Sequence, residues 1–439
     1  MILNRAKIPL SPKSVFSSLS LARQETAYKS FASIIDQCII SLTTFISGLI
    51  IARSCTKEEF GLYALGFSII IFILTIQNSI ISSPYMIFGS RFHGNRLKAY
   101  TGSTLIQQMA FCFISFCLLY FGGLLISDVA PYGLDLIFRD IGLIISFILL
   151  KEFIRIFFLT KLLIKSVLAL DLIVSFLQIG ALLSFSHLNI LTPQIAYWVI
   201  GLACGIASAM WALKIVRSLS LIHSEIVFDS KRNIGFGKWY FFSNITILMI
   251  AQLNLWLLAM YHGTAAAAIL AACQGVINLS NPFQLGIKNI LGPVMVRILD
   301  YKGIKRLSQM VKNASIFIFA IMGLFCVIIY FFGGHLVTLL YGSGYSSTKH
   351  LVFLLSISSF LLALSIAYHC GLMAIERPDL NFKADLFASF VTLCGLLLVK
   401  YFGMLGVSIN LIIGASLSTL WRSTIFRKNI REICKPTIY

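Results

Sequence analysis

The side chains of this chain that could do chemistry are polar and charged groups placed inside long apolar stretches. In the first stretch, Gln37 begins a series at the 4-3-4 spacing of one helix face, and Asp36 lies beside it. The series continues and is widened by hydroxyl and glycine residues: Ser41, Thr43, Thr44, Ser47 and Gly48. Such a face is too polar to contact lipid. Its amide and hydroxyl groups could hydrogen-bond a polar ligand.

A second polar face lies on the eighth stretch. Gln274, Asn278 and Asn281 share one side of a helix that returns at Lys288. Pro282 interrupts this helix because it lacks an N–H and clashes with the preceding turn. Two interpretations are open: the amides line a water-filled cavity, or they satisfy the backbone groups that Pro282 frees.

Charged side chains inside the stretches or at their ends form a third group. Arg155 and Lys288 could face the protein interior and bind an anion. Asp36 and Asp171 could couple the protein to a cation gradient, since a desolvated carboxylate is readily neutralised. The alternative for each acid is a structural hydrogen bond. For the basic residues it is an interfacial position, with Glu152 or Asp171 as an ion-pair partner.

The elements that must position these groups are transmembrane helices. The 439 residues are 58% hydrophobic and 12% charged, with a mean hydropathy of +0.91, whereas a soluble chain carries about 25% charged residues. Twelve apolar stretches are long enough to cross a bilayer. They are 31–52, 61–88, 101–126, 137–158, 166–187, 192–216, 239–261, 264–296, 313–334, 350–374, 381–402 and 404–426. The sequence therefore predicts an all-α polytopic membrane protein.

Lys and Arg residues crowd into every second connection between the predicted helices. All but five of the 35 lie on one side of the membrane. The five on the other side are Arg53, Lys57, Arg139, Lys349 and Lys400. By the positive-inside rule, the basic side and both termini are expected to be cytoplasmic.

The connection at 217–238 divides the predicted helices into six plus six. This gives an N-terminal bundle at 31–216 and a C-terminal bundle at 239–426, flanked by a basic cytoplasmic arm at 1–30 and a tail at 427–439. The halves echo one another, because Pro84 and Met86 recur as Pro293 and Met295. An even number of helices in each half predicts two six-helix bundles with pseudo-two-fold symmetry along the membrane normal.

Several classes of function are disfavoured. The formal charge of +19 does not indicate nucleic acid, because the basic residues lie in short loops where they fix orientation and meet anionic membrane lipids. No G-x-x-x-x-G-K-[ST] motif and no H-E-x-x-H motif is present. No metal site or other cofactor is predicted. The longest outward connection, 333–349, is too short for the catalytic loops of a membrane glycosyltransferase, so the protein is not expected to be an enzyme.

A set of short motifs runs in order through both halves. In the first half these are Asp36-Gln37, Ser41, Phe45, Ala52-Arg53, Glu59-Phe60-Gly61, Tyr63-Ala64-Leu65 and Gln77-Asn78-Ser79-Ile80-Ile81-Ser82-Ser83-Pro84-Tyr85-Met86. In the second half they are Leu340-Tyr341-Gly342, Tyr345, Ala374, Arg377-Pro378-Asp379, Phe402-Gly403 and Leu405-Gly406. Together they resemble the polysaccharide-export, Wzx-type flippases of the multidrug/oligosaccharidyl-lipid/polysaccharide (MOP) superfamily, which also contains the MATE transporters.

This resemblance implies that two bundles rock around a central cavity in a bacterial inner membrane. The cargo would be an undecaprenyl-diphosphate-linked oligosaccharide, moved from the inner to the outer leaflet. Transport would be coupled to H⁺ or Na⁺, and other polysaccharide assembly proteins would be partners. Related lipid II flippases carry arginines in the cavity-facing part of the first helix, but this chain has none there before Arg53. Diphosphate binding would therefore depend on other helices.

The resulting hypothesis is a non-enzymatic lipid-linked oligosaccharide flippase. The expected cavity residues are Gln37, Arg53, Arg155, Gln274, Asn278, Asn281 and Lys288, and the expected ion-coupling residues are Asp36 and Asp171. A multidrug or small-molecule antiporter on the same fold is the nearest alternative. A membrane polysaccharide polymerase or ligase is the alternative from another class.

Overall fold

A computed structural model of the protein describes residues 35–125, 133–216, 219–220 and 222–433. The predicted arm at 1–30 lies outside these residues. The described part is helical throughout, apart from short connections. The thirteen helices are α1 Ile35–Ser54, α2 Lys57–Gln77, α3 Ser83–Gly89, α4 Gly94–Leu125, α5 Leu134–Thr160, α6 Ile164–His187, α7 Pro193–Val216, α8 His223–His262, α9 Thr264–Ile277, α10 Asn281–Tyr341, α11 Lys349–Ala374, α12 Pro378–Gly395 and α13 Leu397–Ile433.

These helices account for the twelve predicted spans. A π-helical turn joins α2 to α3, and the two helices form one span; a 3₁₀ turn joins α9 to the start of α10, and these form another. Conversely, α10 and α13 each break at a glycine with positive φ, 74° at Gly303 and 54° at Gly403, a conformation that glycine adopts without steric cost. Within the described ranges, nine helical segments meet a strict criterion of length and hydropathy. Helix α5 falls outside that set and carries Lys151, Glu152 and Arg155 close together.

The turn between α1 and α2 is fixed by a capping box. The backbone N–H of Glu59 donates to Thr56 Oγ1 (3.2 Å), and the N–H of Thr56 donates to Glu59 Oε2 (2.8 Å). Two otherwise unpaired donors at the start of α2 are thereby satisfied. Because α2 begins here, Arg53 and Lys57 lie at the same face of the molecule, which we call the Arg53 face.

The two halves meet where α2 runs against α9. A Cβ atom added to Gly61 would lie 1.9 Å from the carbonyl oxygen of Thr264, so the two backbones touch and only glycine fits. The stacked rings of Phe60 and Tyr63 continue this contact towards Tyr341. The halves are therefore closed against each other at the Arg53 face.

The opposite face, which we call the basic face, carries the start of α8. Arg96 in α4 donates to Asp229 (2.5 Å) and to Glu225, and the Tyr100 hydroxyl donates to Asn233 (2.7 Å). Arg232 lies over aromatic rings of the first half. The predicted linker at 217–238 is thus helical from His223 onwards, and one 40-residue helix begins on the first half and continues through the seventh span.

Candidate functional site

A cavity of about 540 Å³ lies between the two halves and is lined by α1, α2, α8, α9, the start of α10 and Tyr341. Its hydroxyl and amide side chains are Ser41, Thr44, Ser68, Gln252, Gln274, Asn278 and Asn281. Its aromatic side chains are Phe45, Phe60, Tyr63, Phe67 and Tyr341. Among the described residues, no Asp, Glu, Lys, Arg or His lines this cavity. The site can offer hydrogen bonds and ring faces, and the part of its wall that the structure describes carries no formal charge.

The amides of the eighth span do line the cavity. The 3₁₀ turn after α9 accounts for the backbone near Pro282, because the N–H of Asn281 donates to the carbonyl of Asn278 and Ser280 Oγ donates to the carbonyl of Ile277 (2.8 Å). The 3₁₀ turn and the Ser280 hydroxyl therefore satisfy the backbone carbonyls that Pro282 leaves without a helical partner. The side chains of Asn278 and Asn281 are exposed to the cavity, where the Asn281 amide donates to the Asn278 amide (3.3 Å).

The polar face of α1 divides in two. Ser41, Thr44 and Gly48 line the cavity. The remaining hydroxyls turn towards α6, where Thr43 donates to Ser175 (2.6 Å) and Ser47 accepts from Gln178 (2.8 Å). Gln37 is half-buried and is not among the lining residues. One side of α1 therefore lines the cavity, and the other packs against α6 within the first half.

Arg155 lies in a buried ion-pair cluster that joins α1, α5 and α6. Its guanidinium donates to Asp36 (2.5 Å), to Asp171 (2.9 Å) and to Glu152 (3.4 Å), while Lys151 pairs with Asp171 (2.7 Å). The Asp36 and Asp171 side chains are each 2% exposed. We call these five residues the Arg155 cluster. With all five ionised, its three carboxylates and two cations leave a formal charge of −1.

The cluster has a consequence for the predicted roles of its members. The two acids expected to couple to a cation gradient, Asp36 and Asp171, are brought together by one guanidinium. Arg155 does not line the cavity, and its donors are directed at carboxylates. Anion binding by Arg155 and ion coupling by the two acids remain predictions.

The second half contains a corresponding polar cluster around Arg422 in α13. The guanidinium donates to Asp385 (2.5 Å) and Asn381 (3.2 Å) in α12, and to Ser418 (2.5 Å) and Ser365 (3.4 Å). Neither Arg422 nor Asp385 is among the predicted site residues. The available signal was Asp385 itself, an acidic residue inside the predicted span 381–402.

Lys288 lies close to this second cluster. It is exposed on α10 beyond the cavity lining, and its charge acts on both His369 and Asp385. Lys288 thus follows Gln274, Asn278 and Asn281 along one span, as predicted, but lies nearer the basic face than they do. Its role in anion binding remains a prediction.

Arg53 lies at the closed face and not on the cavity wall. Its guanidinium donates to the carbonyl of Leu340 (2.5 Å) and to that of Leu339, in the last turn of α10. Carbonyls in this turn have no partner within the helix and carry the negative end of its dipole. The Lys57 ammonium lies 5.7 Å from the ring centre of Tyr345. Arg53 and Lys57 of the first half therefore both contact the second half.

Other residues that carry the family resemblance hold the structure together. Gln77 is fully buried and donates to Gln108 (2.9 Å) and to the carbonyl of Leu149 (2.8 Å). At the exposed start of α12, two hydrogen bonds from the Arg377 guanidinium hold the pKa of Asp379 below its usual value. Gln77, Arg377 and Asp379 do not line the cavity.

Comparison with known proteins identifies the fold. No protein-family model and no curated protein sequence matches the chain. Among solved structures, a multidrug resistance MATE family transporter of the MOP superfamily, in an inward-facing conformation, is similar with 15% identity over 90% of this chain and 96% of that chain, at a TM-score of 0.78. The lipid II flippase MurJ, in an inward closed conformation, is similar with 12% identity over 93% and 90% of the two chains, at a TM-score of 0.75.

A further MOP superfamily transporter, from Pyrococcus furiosus, has 14% identity, with 92% of this chain and 95% of that chain covered and a TM-score of 0.66. At these identities the likeness concerns the fold. The predicted fold class is confirmed: the chain is an all-α, multi-pass membrane protein with the two six-helix bundles of the MATE and MOP transporter fold.

Proposed function

We propose that the protein is a flippase that moves an undecaprenyl-diphosphate-linked oligosaccharide across a bacterial inner membrane by alternating access, without catalysis. The observation that carries this proposal is the cavity between the halves, whose walls are amide, hydroxyl and aromatic and which is closed at the Arg53 face. The basic face would be cytoplasmic, in agreement with the positive-inside rule, and cargo would enter there.

The chemistry of the cavity suits sugars. Amides such as Gln274 can donate and accept hydrogen bonds at once, as the hydroxyls of a sugar require. Tyr63 and Tyr341 offer ring faces for the apolar side of a sugar ring. A cavity of about 540 Å³ falls within the range of ligand pockets. It would hold a few sugar units while the prenyl chain stays in the lipid.

Lys288 would bind the cargo's diphosphate. It follows Asn281 by seven residues on one helix, which at about 1.5 Å per residue places it about 10 Å further towards the basic face. A diphosphate there would leave the attached sugars beside the cavity amides. Arg422 also lies near this site, since the charges of Lys288 and Arg422 both act on His369.

The Arg155 cluster would couple transport to H⁺ or Na⁺. Its formal charge is −1, with Asp36 and Asp171 buried within the first half and Glu152 29% exposed. A buried carboxylate that loses its cation partner is costly, so Asp36 or Asp171 would take up a proton or cation when Arg155 moves away from it. Membrane lipids and other polysaccharide assembly proteins would be the remaining partners.

A multidrug antiporter on the same fold is the alternative. A cationic drug would need a carboxylate or an anionic wall, and the described lining residues include neither. A polymerase or ligase would need a nucleophile and an acid or base in contact with the cargo, and the described lining offers hydroxyls, amides and the Cys38 thiol but no carboxylate, lysine or histidine to act as the acid or base. Both alternatives therefore fit this cavity less well.

The test is a deletion of the gene in its own bacterium. Lipid-linked oligosaccharide should accumulate on the cytoplasmic leaflet, where a membrane-impermeant glycosidase does not reach it in intact spheroplasts. The intact gene should restore access. Normal surface glycan in the deletion strain, or extrusion of cationic dyes by the purified protein in proteoliposomes, would contradict the proposal.

A further inference from the structure

We propose that the cavity selects uncharged, amide-bearing sugar units and rejects sugars that carry a carboxylate. This inference rests on the proposed function and adds the chemical class of glycan to it. It concerns Gln252, Gln274, Asn278 and Asn281, four amides contributed by α8, α9, α10 and the turn before α10.

The four amides are available to a ligand. Gln252 and Gln274 make no hydrogen bond to another described residue, although both line the cavity. Asn278 and Asn281 share a single 3.3 Å hydrogen bond, which leaves most of their donors and acceptors unused. Polar groups left without partners inside a protein are costly unless water or a ligand satisfies them. The cavity therefore presents free amide donors and acceptors, which are the groups that pair with the N–H and C=O of an N-acetyl substituent.

The absence of charge on the described walls argues against an acidic sugar. A carboxylate drawn into this space would lose water and would find no Lys, Arg or His beside it. Burial of a charge without a partner costs much more than burial of a hydrogen-bonded amide. Lys288 cannot compensate, because it lies about 10 Å away along the helix and would be occupied by the diphosphate.

The positions of the amides indicate which sugar units of the cargo they contact. With the diphosphate at Lys288, the sugars nearest to it lie beside Asn281 and Asn278, and the next ones reach Gln274 and Tyr341. Selection therefore applies to the units closest to the diphosphate.

The experiment compares two cargoes in proteoliposomes that contain the purified full-length protein. Both carry the same polyprenyl diphosphate. One bears a disaccharide of N-acetylhexosamines, and the other has a hexuronic acid in place of the first sugar. We expect the amide-bearing cargo to move about tenfold faster or more, which corresponds to about 1.4 kcal/mol. Equal rates, or a faster acidic cargo, would overturn the selection while leaving the flippase function intact. Movement of neither cargo would refute the flippase function and the selection with it.

Charge-introducing variants sharpen the comparison. Asn278→Lys should raise the rate for the acidic cargo and lower it for the neutral one, and Gln274→Lys provides a second position if the first variant does not fold. The matched control is Asn289→Lys, an exposed amide on α10 outside the cavity lining. It should leave the ratio of the two rates unchanged. A ratio that shifts equally in Asn278→Lys and Asn289→Lys would mean that the cavity amides do not select.

Discussion

Replacement of Arg155 by glutamine should destabilise the first half. The guanidinium is bonded to Asp36 at 2.5 Å and to Asp171 at 2.9 Å, and both carboxylates are 2% exposed. Removal of one member of a buried pair costs about 3–5 kcal/mol, because the other charge is left without compensation. Lys151 still contacts Asp171 at 2.7 Å, so Asp36 is the group left unpaired. We therefore expect about 3 kcal/mol, the lower end of that range.

A second substitution separates this explanation from simple misfolding. Addition of Asp36→Asn to Arg155→Gln removes the unpaired charge and should recover about 2 kcal/mol, within the usual range for residues in one network. The free energy of unfolding can be measured by titration of purified protein with sodium dodecyl sulfate in mixed micelles. Arg427→Gln, at an exposed position on α13, is the control and should stay within about 0.5 kcal/mol of wild type.

Two results would refute the reasoning. One is an Arg155→Gln variant as stable as wild type, which would mean that Asp36 is already neutral or hydrated. The other is a double variant no more stable than the single one, which would mean that the guanidinium contributes packing and not charge compensation.

Three further predictions address transport and orientation. Lys288→Gln should lower surface glycan severalfold while Lys288→Arg retains most of it, because the charge survives; equal loss in both, measured at matched protein levels, would exclude a charge contact. Gly61→Leu should abolish transport without loss of protein, because its side chain meets the Thr264 carbonyl and prevents closure of the Arg53 face; retained activity in a spheroplast assay would contradict this. Reporter fusions at Tyr345 should read periplasmic and those at Asp229 cytoplasmic, and the reverse pattern would invert the topology.

The sequence was most informative about features within a single helix, such as which side chains share one face. The spacing of Gln274, Asn278 and Asn281 sufficed to place them on one face, because the period of a helix fixes which residues share a side. The same spacing on α1 predicted one broad polar face. It could not reveal that Asp36 turns away from the cavity, since that depends on Arg155, 119 residues later in the chain.

Contacts between distant helices account for the rest. Arg422 looked like one of several basic residues near the C-terminus, and only the packing of α12 beside α13 brings Asp385 to it. Arg53 was among the residues predicted to line the cavity. Its partners are backbone carbonyls of α10. Every residue type has a backbone carbonyl, so such a partner cannot be identified from the sequence.

The continuity of α8 bears on how the protein is made. The first half leaves the ribosome first, so Arg96 and Tyr100 are in place before Asp229 and Asn233 are synthesised. The start of α8 can then dock on the finished half and set the direction in which the seventh helix enters the bilayer. Biogenesis of the second bundle would thus be templated by the first. A chain cut between 216 and 223 should still reassemble when its two pieces are expressed together, because this docking helix stays whole.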